Sequence, residues 1–420
     1  MRKLLCRNIS VVMGLLATSC APMPAAQTQN MPVSAQNFET TGYEIFQSLR
    51  ASAGPEDNTF ISPLSVRQAV GLAHAGARGA TASEIEHTLG ISAGTAGDAE
   101  LGAERQTLLA DTGAVTVKLA NALWLNNKYA FRPDYLGVTQ QTYAARVDRL
   151  DFVGDSDGSA KMINNWAADA TNGLIRGIVA PFTLKPGPTA LLTNALFFEG
   201  RWQVEFFPAV PDKFLFGDGR EKPFPLMGTQ ATFAYAEAGG WKAVRLPYRA
   251  SADGQTAPRF VMDVFVPIRR QVGAALPSAL YTKLTGMLGG TKAQLVQVTL
   301  PRFEIEWKDG LVPAMMTAGI RTAFDPDKAD FGPMLLGNGV FSMDDVVQAS
   351  KLQVFETGTR AAAVTAIEII ITGMRRDPTK PKIFRADQPF HVVIRDVKYG
   401  TVLFVGRIAT PAIYKGTQLL

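Results

Sequence analysis

The chain has almost no cysteine. Of its 420 residues only Cys6 and Cys20 are cysteines, and both precede the first periodic segment. The part that folds therefore has no disulfide and no thiol nucleophile, and packing alone must hold it. Histidine is nearly as scarce, with three: His74, His87 and His391. None stands in a His-Glu-x-x-His run or a paired-ligand spacing, so no metal site is expected. There is no Gly-x-Ser-x-Gly elbow and no Gly-rich phosphate loop, which removes the commonest signals of hydrolase and nucleotide chemistry. A structural role is expected for each histidine, and no cofactor. The net charge of +5 is small for this length and gives no footing for nucleic acid. One apolar run, Ile9–Ala17, stands apart from the rest, and it is too short to cross a bilayer comfortably.

That run belongs to a leader. Arg2 and Lys3 give it a basic start, and residues 1–19 read as an export signal. Ala17-Thr-Ser-Cys20 resembles the box at which bacterial lipoproteins are cut and lipidated, here on Cys20. The alternative is an ordinary signal peptide cut near Ala25 or Ala26. Residues 20–35 are rich in Pro, Ala and Gln, as a flexible tether would be. The expectation is an exported protein anchored by lipid on the periplasmic or cell-surface side, and otherwise a secreted one.

With 47% hydrophobic residues the remainder can build a large core. Phe38, Ile45, Phe46 and Leu49 share a helical face, and Gly54-Pro-Glu-Asp57 ends it. Ser62-Pro63 is a helix start, with Val66, Ala69, Val70 and Ala73 behind it. Leu119–Trp124 reads as a strand, and Ile163–Gly173 as a helix and its end. Thr189–Phe198 is apolar throughout, as a strand buried on both faces would be. Arg245–Tyr248 and Val261–Pro267 read as a strand pair. Leu300–Phe303 follows, then a helical stretch to Gly319-Ile320. Phe390–Ile394 is strand-like again. No internal repeat is visible.

The most telling stretch is Glu356–Thr372. Read as a strand, it places Thr359, Ala361, Ala363, Thr365, Ile367, Ile369 and Ile371 on one face. Arg360, Ala362, Val364, Ala366, Glu368 and Ile370 take the other. It then runs into Gly373–Lys382, a Pro-containing loop with Arg375, Arg376, Lys380 and Lys382. A segment able to be a buried strand thus leads straight into a solvated loop.

Glu-x-Gly-Thr-x-Ala-Ala-Ala-x-Thr, at Glu356–Thr365, resembles the hinge of the serpins. So do Asn58–Ser65, Gly76–Thr81, the Asn194, Ala195, Phe198, Gly200, Trp202 set, Phe384–Phe390 and Phe404–Arg407. The matches run in order from about Asn37 to Pro411. The resemblance implies an α+β fold of three β-sheets and about nine helices, in one domain at 36–416, and a monomer. It implies a reactive loop at about 356–383 and a hinge of Glu356, Gly358, Thr359, Arg360, Ala361, Ala362, Ala363 and Thr365. It implies a region of sheet opening at Ser62, Ser65, Asn194, Trp202, Arg302 and Gln348. Gln348 stands where the family usually has His, and it can bridge Ser62 and Asn194. Arg302 stands where the family has a Lys that pairs with the hinge glutamate, and it can do so bidentately. Arg360 stands where Glu is usual.

The implied activity is suicide inhibition of a serine or cysteine endopeptidase, not catalysis. The partner is the target protease, held as a covalent acyl complex. Family spacing puts the reactive bond at the seventeenth residue from Glu356 (372 − 356 + 1 = 17), hence Thr372–Gly373. That bond suits elastase-like enzymes. Ile371–Thr372, Met374–Arg375 and Arg375–Arg376 are alternatives. The other class is a non-inhibitory relative, keeping the fold as a binding or structural module. Between Glu100 and Thr116 only Arg105 is basic before the strand begins, so no glycosaminoglycan activation is expected.

Overall fold

Helix α2 (Pro63–His74) is buried along its whole length. A helix with no polar face belongs inside, with structure all round it. Ser62 caps it by accepting from the Ser65 amide at 3.1 Å, and Pro63 fills its first position. Its two long polar residues find internal partners, although the Gln68 Oε1 accepts no hydrogen bond. Arg67 reaches Glu104 at 3.0 Å and the Leu89 carbonyl, and Gln68 reaches the Leu101 carbonyl at 3.1 Å.

The computed structural model describes residues 33–181, 184, 190–250, 257–336, 341–359 and 380–414. Before α2 come α1 (Val33–Ala51) and β1 (Thr59–Ile61). After it come α3 (Gly79–Leu89), α4 (Thr95–Leu109), β2 (Thr116–Asn126), α5 (Pro133–Gln141), β3 (Arg146–Leu150), α6 (Ser156–Ala170) and β4 (Ala190–Arg201). The middle of the chain gives β5 (Val210–Leu215), β6 (Glu221–Ala238), β7 (Trp241–Pro247), β8 (Phe260–Pro267), α7 (Ser278–Gly290), β9 (Gln294–Pro301), β10 (Phe303–Gly310) and α8 (Val312–Ala318). The last elements are β11 (Asp345–Phe355), β12 (Gly358–Thr359), β13 (Lys382–Arg385), β14 (Phe390–Asp396), β15 (Thr401–Ile408) and β16 (Ala412–Ile413). The fold is α+β, with eight α-helices and a short 3-10 turn, Thr322–Phe324, among the described residues. No helix among them is long and apolar enough to cross a membrane.

One seven-stranded sheet runs β16-β10-β11-β12-β4-β2-β3. The other two ladders share β6. Its residues Leu226–Phe233 pair with β9, and Ala234–Ala238 pair with β7. Hydrogen bonding therefore continues through nine strands. Helix α6 covers one face of the seven-stranded sheet, where Ile163 and Ala167 join Ala122, Trp124, Leu191 and Ala349. Helix α2 and its neighbours cover the other face, with Val66, Val70, Leu123 and Leu192 in one core. This is why β4 is apolar on both sides.

One expected element is corrected. The helical stretch after Phe303 is strand β10 as far as Gly310, and only Val312–Ala318 is helical. The alternation decides it. Phe303 and Ile305 are buried with half-buried Trp307, while Glu306 between them is exposed, a two-residue period.

With no disulfide to staple it, the fold is held by packing, and several ion pairs are buried within it. Arg259 is the densest. Its Nε donates to Asp396 at 2.7 Å, and its two Nη atoms donate to the carbonyls of Thr107, Leu108, Ala110 and Asp111. It thus closes the C-terminal end of α4 as a cation should. Burial pushes the Asp396 carboxyl up from its usual range, and Arg259 works against that. Arg259→Met should destabilise the protein by about 3–5 kcal/mol in urea titration at neutral pH, the cost of an uncompensated buried charge. The loss should shrink as pH falls and Asp396 takes up a proton. A variant within ~0.5 kcal/mol of wild type would show the network to be idle.

Candidate functional site

The seven-stranded sheet is closed at one end between β4 and β11 and divided at the other. The two strands pair in parallel from Asp345↔Leu191 to Gln348↔Asn194. Beyond that point, 349–353 and 195–199 do not pair with each other. At the far end β12 lies between them and is antiparallel to both. Thr359 faces Val354 and Gly200, and Gly358 faces Phe355 and Arg201.

Glycine is required at the wedge. A Cβ on Gly358 would stand 2.4 Å from the Gly200 carbonyl oxygen, and one on Gly200 would stand 2.8 Å from the Tyr248 ring. Thr359 is buried, and its hydroxyl is hydrogen-bonded to that of Tyr248 at 2.7 Å. Burial raises the Tyr248 phenol, so it stays a neutral partner. Trp202 stacks on Tyr248 with ring centroids 4.6 Å apart. Its indole N–H donates to the Phe355 carbonyl at 2.9 Å, and its amide donates to the Thr357 carbonyl at 3.0 Å.

Glu356 is held just before the wedge. Its Oε1 accepts from the Ala209 amide at 3.0 Å, and its carbonyl accepts from the Phe206 amide at 2.9 Å. Arg302 pairs with it through one contact of 3.7 Å. The bidentate geometry expected for this pair is not formed. The Arg302 guanidinium lies instead over the Tyr414 ring at 5.5 Å.

At the closed end Gln348 braces β11 to the start of α2. Its Oε1 accepts from the Ser62 amide at 2.9 Å, and its Nε2 donates to the Ser62 carbonyl at 3.2 Å. The expected side-chain bridge from Gln348 to Asn194 is not formed, and the Gln348 amide is turned to the Ser62 backbone. Asn194 instead donates across β4 and β2 to Asn121. Ser65 gives its amide to the cap, and its buried hydroxyl has no hydrogen-bond partner in the structure.

Of the expected site residues, the structure gathers Trp202, Arg302, Glu356, Gly358 and Thr359 at the divided end, and Ser62, Ser65, Asn194 and Gln348 at the closed one. Arg360, Ala361, Ala362, Ala363, Thr365, Ile371, Thr372, Gly373, Met374, Arg375 and Arg376 lie outside the described residues, as does Cys20. Sequence reasoning gave no role to Tyr248, Gly200, Ala209 or Asn121. Gly200 stood in the set that resembles the serpins and Tyr248 in an expected strand, but nothing local tells that Tyr248 meets Thr359. No group of three metal-ligating side chains occurs among the described residues. Burial, and then Arg407 and Arg50, push the His391 ring down to about 3, so it is a neutral core residue.

Two substitutions test the wedge. Gly358→Val should expel β12, and amide exchange at Val354–Thr359 should rise to that of an exposed segment. Tyr248→Phe should leave β12 in place but weaken it by about 1 kcal/mol, one net hydrogen bond. Unchanged exchange in the valine variant would mean that close approach to Gly200 does not control the wedge.

The comparisons agree with this geometry. The family model described as Serpin (serine protease inhibitor) matches residues 36–411. A serpin-like protein of Thermococcus kodakarensis is 30% identical over 382 residues, covering 88% of this chain and 84% of its own length. Human neuroserpin is 29% identical over 381 residues, covering 87% and 89%. The crystal structure of Serpin48 from the insect Tenebrio molitor superposes with a TM-score of 0.75 at 25% identity, covering 92% of this chain and 99% of that one. Human thyroxine-binding globulin, at 22% identity and a TM-score of 0.77 over 90% and 98%, shows the fold alone. Inhibitors and carriers are thus both among the matches, and none of this argues for an enzyme. Strands parted around a buried Gly-Thr pair, in a chain that the family model spans from α1 to the last strands, make this protein a member of the serpin family.

Proposed function

We propose that the chain is a suicide inhibitor of a serine or cysteine endopeptidase of elastase-like preference. The observation that carries this reading is the register of β12. Thr359 already sits opposite Val354 and Gly200. Continued antiparallel, the segment would set Ala361 between Leu352 and Phe198, Ala363 between Ser350 and Leu196, and Thr365 between Gln348 and Asn194. Residues 360–364 would thus span the stretch where β4 and β11 do not pair with each other. From Thr365 onward, insertion would have to break the four ladder pairs Gln348↔Asn194 to Asp345↔Leu191 and the Ser62 brace.

The side chains suit that path. Leu352, Phe198 and Leu196 belong to one apolar core, and small alanines would fit between them. An unpaired charge there would cost several kcal/mol. Arg360 would fall on the outer face, between Gln353 and Glu199, so the departure from the family's usual Glu meets a carboxylate of this chain. Ile367 would fall opposite Val346 and Leu192, gaining roughly 1.5–3 kcal/mol on burial. Ile369 and Ile371 would pass beyond the first residue of β11.

The mechanism follows from the family. The protease attacks the carbonyl of Thr372 and forms an acyl-enzyme. Cleavage of Thr372–Gly373, or of one of the neighbouring bonds after Ile371, Met374 or Arg375, frees the segment to insert. The tethered enzyme is carried across the sheet before water releases it. Cys20, lipidated after export, would anchor the inhibitor to a bacterial membrane, facing away from the cytoplasm.

An elastase-like protease should form a complex that survives boiling in detergent. If every protease of a broad panel cleaves the loop and stays active, the protein is a binding or structural module instead. Insertion competes with hydrolysis, so ~1.4 kcal/mol added to its barrier shifts the outcome about tenfold. Thr359→Arg cannot occupy its buried position and should turn the inhibitor into a substrate. Arg360→Glu would face Glu199 and should raise the number of inhibitors consumed per enzyme a few-fold. The double exchange Arg360→Glu with Glu199→Arg should restore it. Equal values for Thr359→Arg and wild type would end the insertion reading. Separately, labelled fatty acid should enter the wild type and not Cys20→Ala. Label in both would remove Cys20 as the lipid site.

A further inference from the structure

The last residue of α2 is a buried histidine held between carboxylates from two other helices. His74 Nδ1 lies 2.9 Å from Asp98 Oδ1 of α4, and Nε2 lies 3.1 Å from Glu86 Oε1 of α3. The His74 side chain is 2% exposed. Asp98 Oδ1 also accepts from the Tyr143 hydroxyl at 2.7 Å. Glu86 Oε1 also accepts from the Gly94 amide at 2.9 Å. Tyr135 of α5 stands near Asp98, and its hydroxyl donates to the Leu72 carbonyl at 3.0 Å. The remaining charged pair in this region is Arg67 with Glu104, at 3.0 Å. No cation other than His74 is bonded to Asp98 or Glu86 among the described residues.

A neutral imidazole has one N–H and one lone pair, so it donates to only one of two carboxylates. The doubly protonated ring donates to both. On losing a proton, one ring nitrogen turns its lone pair toward a carboxylate. Glu86 is the partner able to leave, since its side chain is 17% exposed and that of Asp98 is 10% exposed. Glu86 also receives the Gly94 amide at the start of α4, a helix with no side-chain cap of its own.

We propose that His74, Asp98 and Glu86 form a proton-operated clamp that ties α3 and the start of α4 to the end of α2. The clamp is closed while His74 is doubly protonated and loosens at the Glu86–Gly94 contact as pH rises. Burial alone would lower the His74 pKa. Its hydrogen bonds to Asp98 and then Glu86 outweigh that and hold it above its usual value of 6.5. Burial alone would raise Glu86, and the Gly94 amide and His74 outweigh that and hold it below its usual range. A histidine raised on folding contributes stability that is complete below its unfolded value and is lost as pH rises through the folded one. A carboxylate lowered on folding contributes stability that is lost in acid. The clamp therefore holds between the carboxylate range and the raised histidine midpoint. This inference does not depend on the inhibitor reading. It places a pH-sensitive contact at the far end of the helix whose first turn carries Ser62.

The test uses the full-length protein. With three histidines in the chain, NMR titration of 13C-labelled imidazoles resolves each one. The His74 midpoint should lie above 6.5, and Glu86→Gln should lower it. Amide exchange at Gly94–Leu101, corrected for intrinsic rates, should quicken as pH rises from the unfolded histidine value of 6.5 through the raised folded midpoint, roughly tenfold for each unit by which the second exceeds the first. In His74→Gln that pH dependence should vanish. A wild-type midpoint at or below 6.5, or pH dependence that survives in His74→Gln, would overturn the clamp. Because the titration is read on the wild type, the result stands even where a variant folds poorly.

Discussion

The rest of the structure depends on how β4 and β11 share hydrogen bonds. Inside a protein, backbone polar groups must find partners. Here the two strands meet directly only from Asp345 to Gln348, and then part around Gly358 and Thr359. That arrangement sets demands on everything nearby. Gly200 and Gly358 must lack side chains so that three backbones can lie together. Tyr248 and Trp202 must floor the wedge. Glu356 must be pinned ahead of it by the Ala209 amide and Arg302, so that the chain turns into the sheet at a fixed residue. At the other end, Gln348 must hold β11 onto the first turn of α2.

Much of this was legible in the chain itself. Ser62-Pro63 reads as a helix start because capping is local chemistry, and the cap is there. The strand at Thr189–Phe198 was visible because burial on both faces removes polar residues from the sequence. Of the residues expected on the inward face of the hinge, Thr359 alone is described, and it is buried as a two-residue period implies. What stayed hidden was long-range. Tyr248 follows the last residue of β7, and its role comes from a partner 111 residues away. The partner choice of Gln348 could not be read either. An amide that could reach Ser62 or Asn194 took both ends of one, and only packing decides that. Strand β10 was overrun by the helical reading because Glu304, Glu306 and Lys308 are helix formers. Their alternation with Phe303, Ile305 and Trp307 wins once β11 is alongside.

The same contrast explains where charge is buried. A cysteine-free fold has only packing and polar networks to fix it. The buried pairs Arg67–Glu104 and Arg259–Asp396, and the partly buried pairs Arg245–Asp263 and Arg395–Glu39, lie among the helices and the nine-stranded sheet. Removing one partner of such a pair is costly, and forming it gains little. Their effect is to make those regions unable to shift by degrees. Residues 195–198 and 349–352, by contrast, hold Ala195, Leu196, Phe197, Phe198, Ala349, Ser350, Lys351 and Leu352. Only Lys351 is charged, and it turns outward to Glu304 and Glu306. Apolar surface is non-directional and can accept a new neighbour without leaving a charge unpaired. On its inward face a strand entering there would meet Leu352, Phe198 and Leu196, with Ser350 the one polar neighbour, until Thr365 reached Gln348. The barrier to full insertion would therefore sit at one short ladder and one glutamine. On the proposed reading, the ion-paired surroundings would leave the seam between β4 and β11 as the place where the sheet opens.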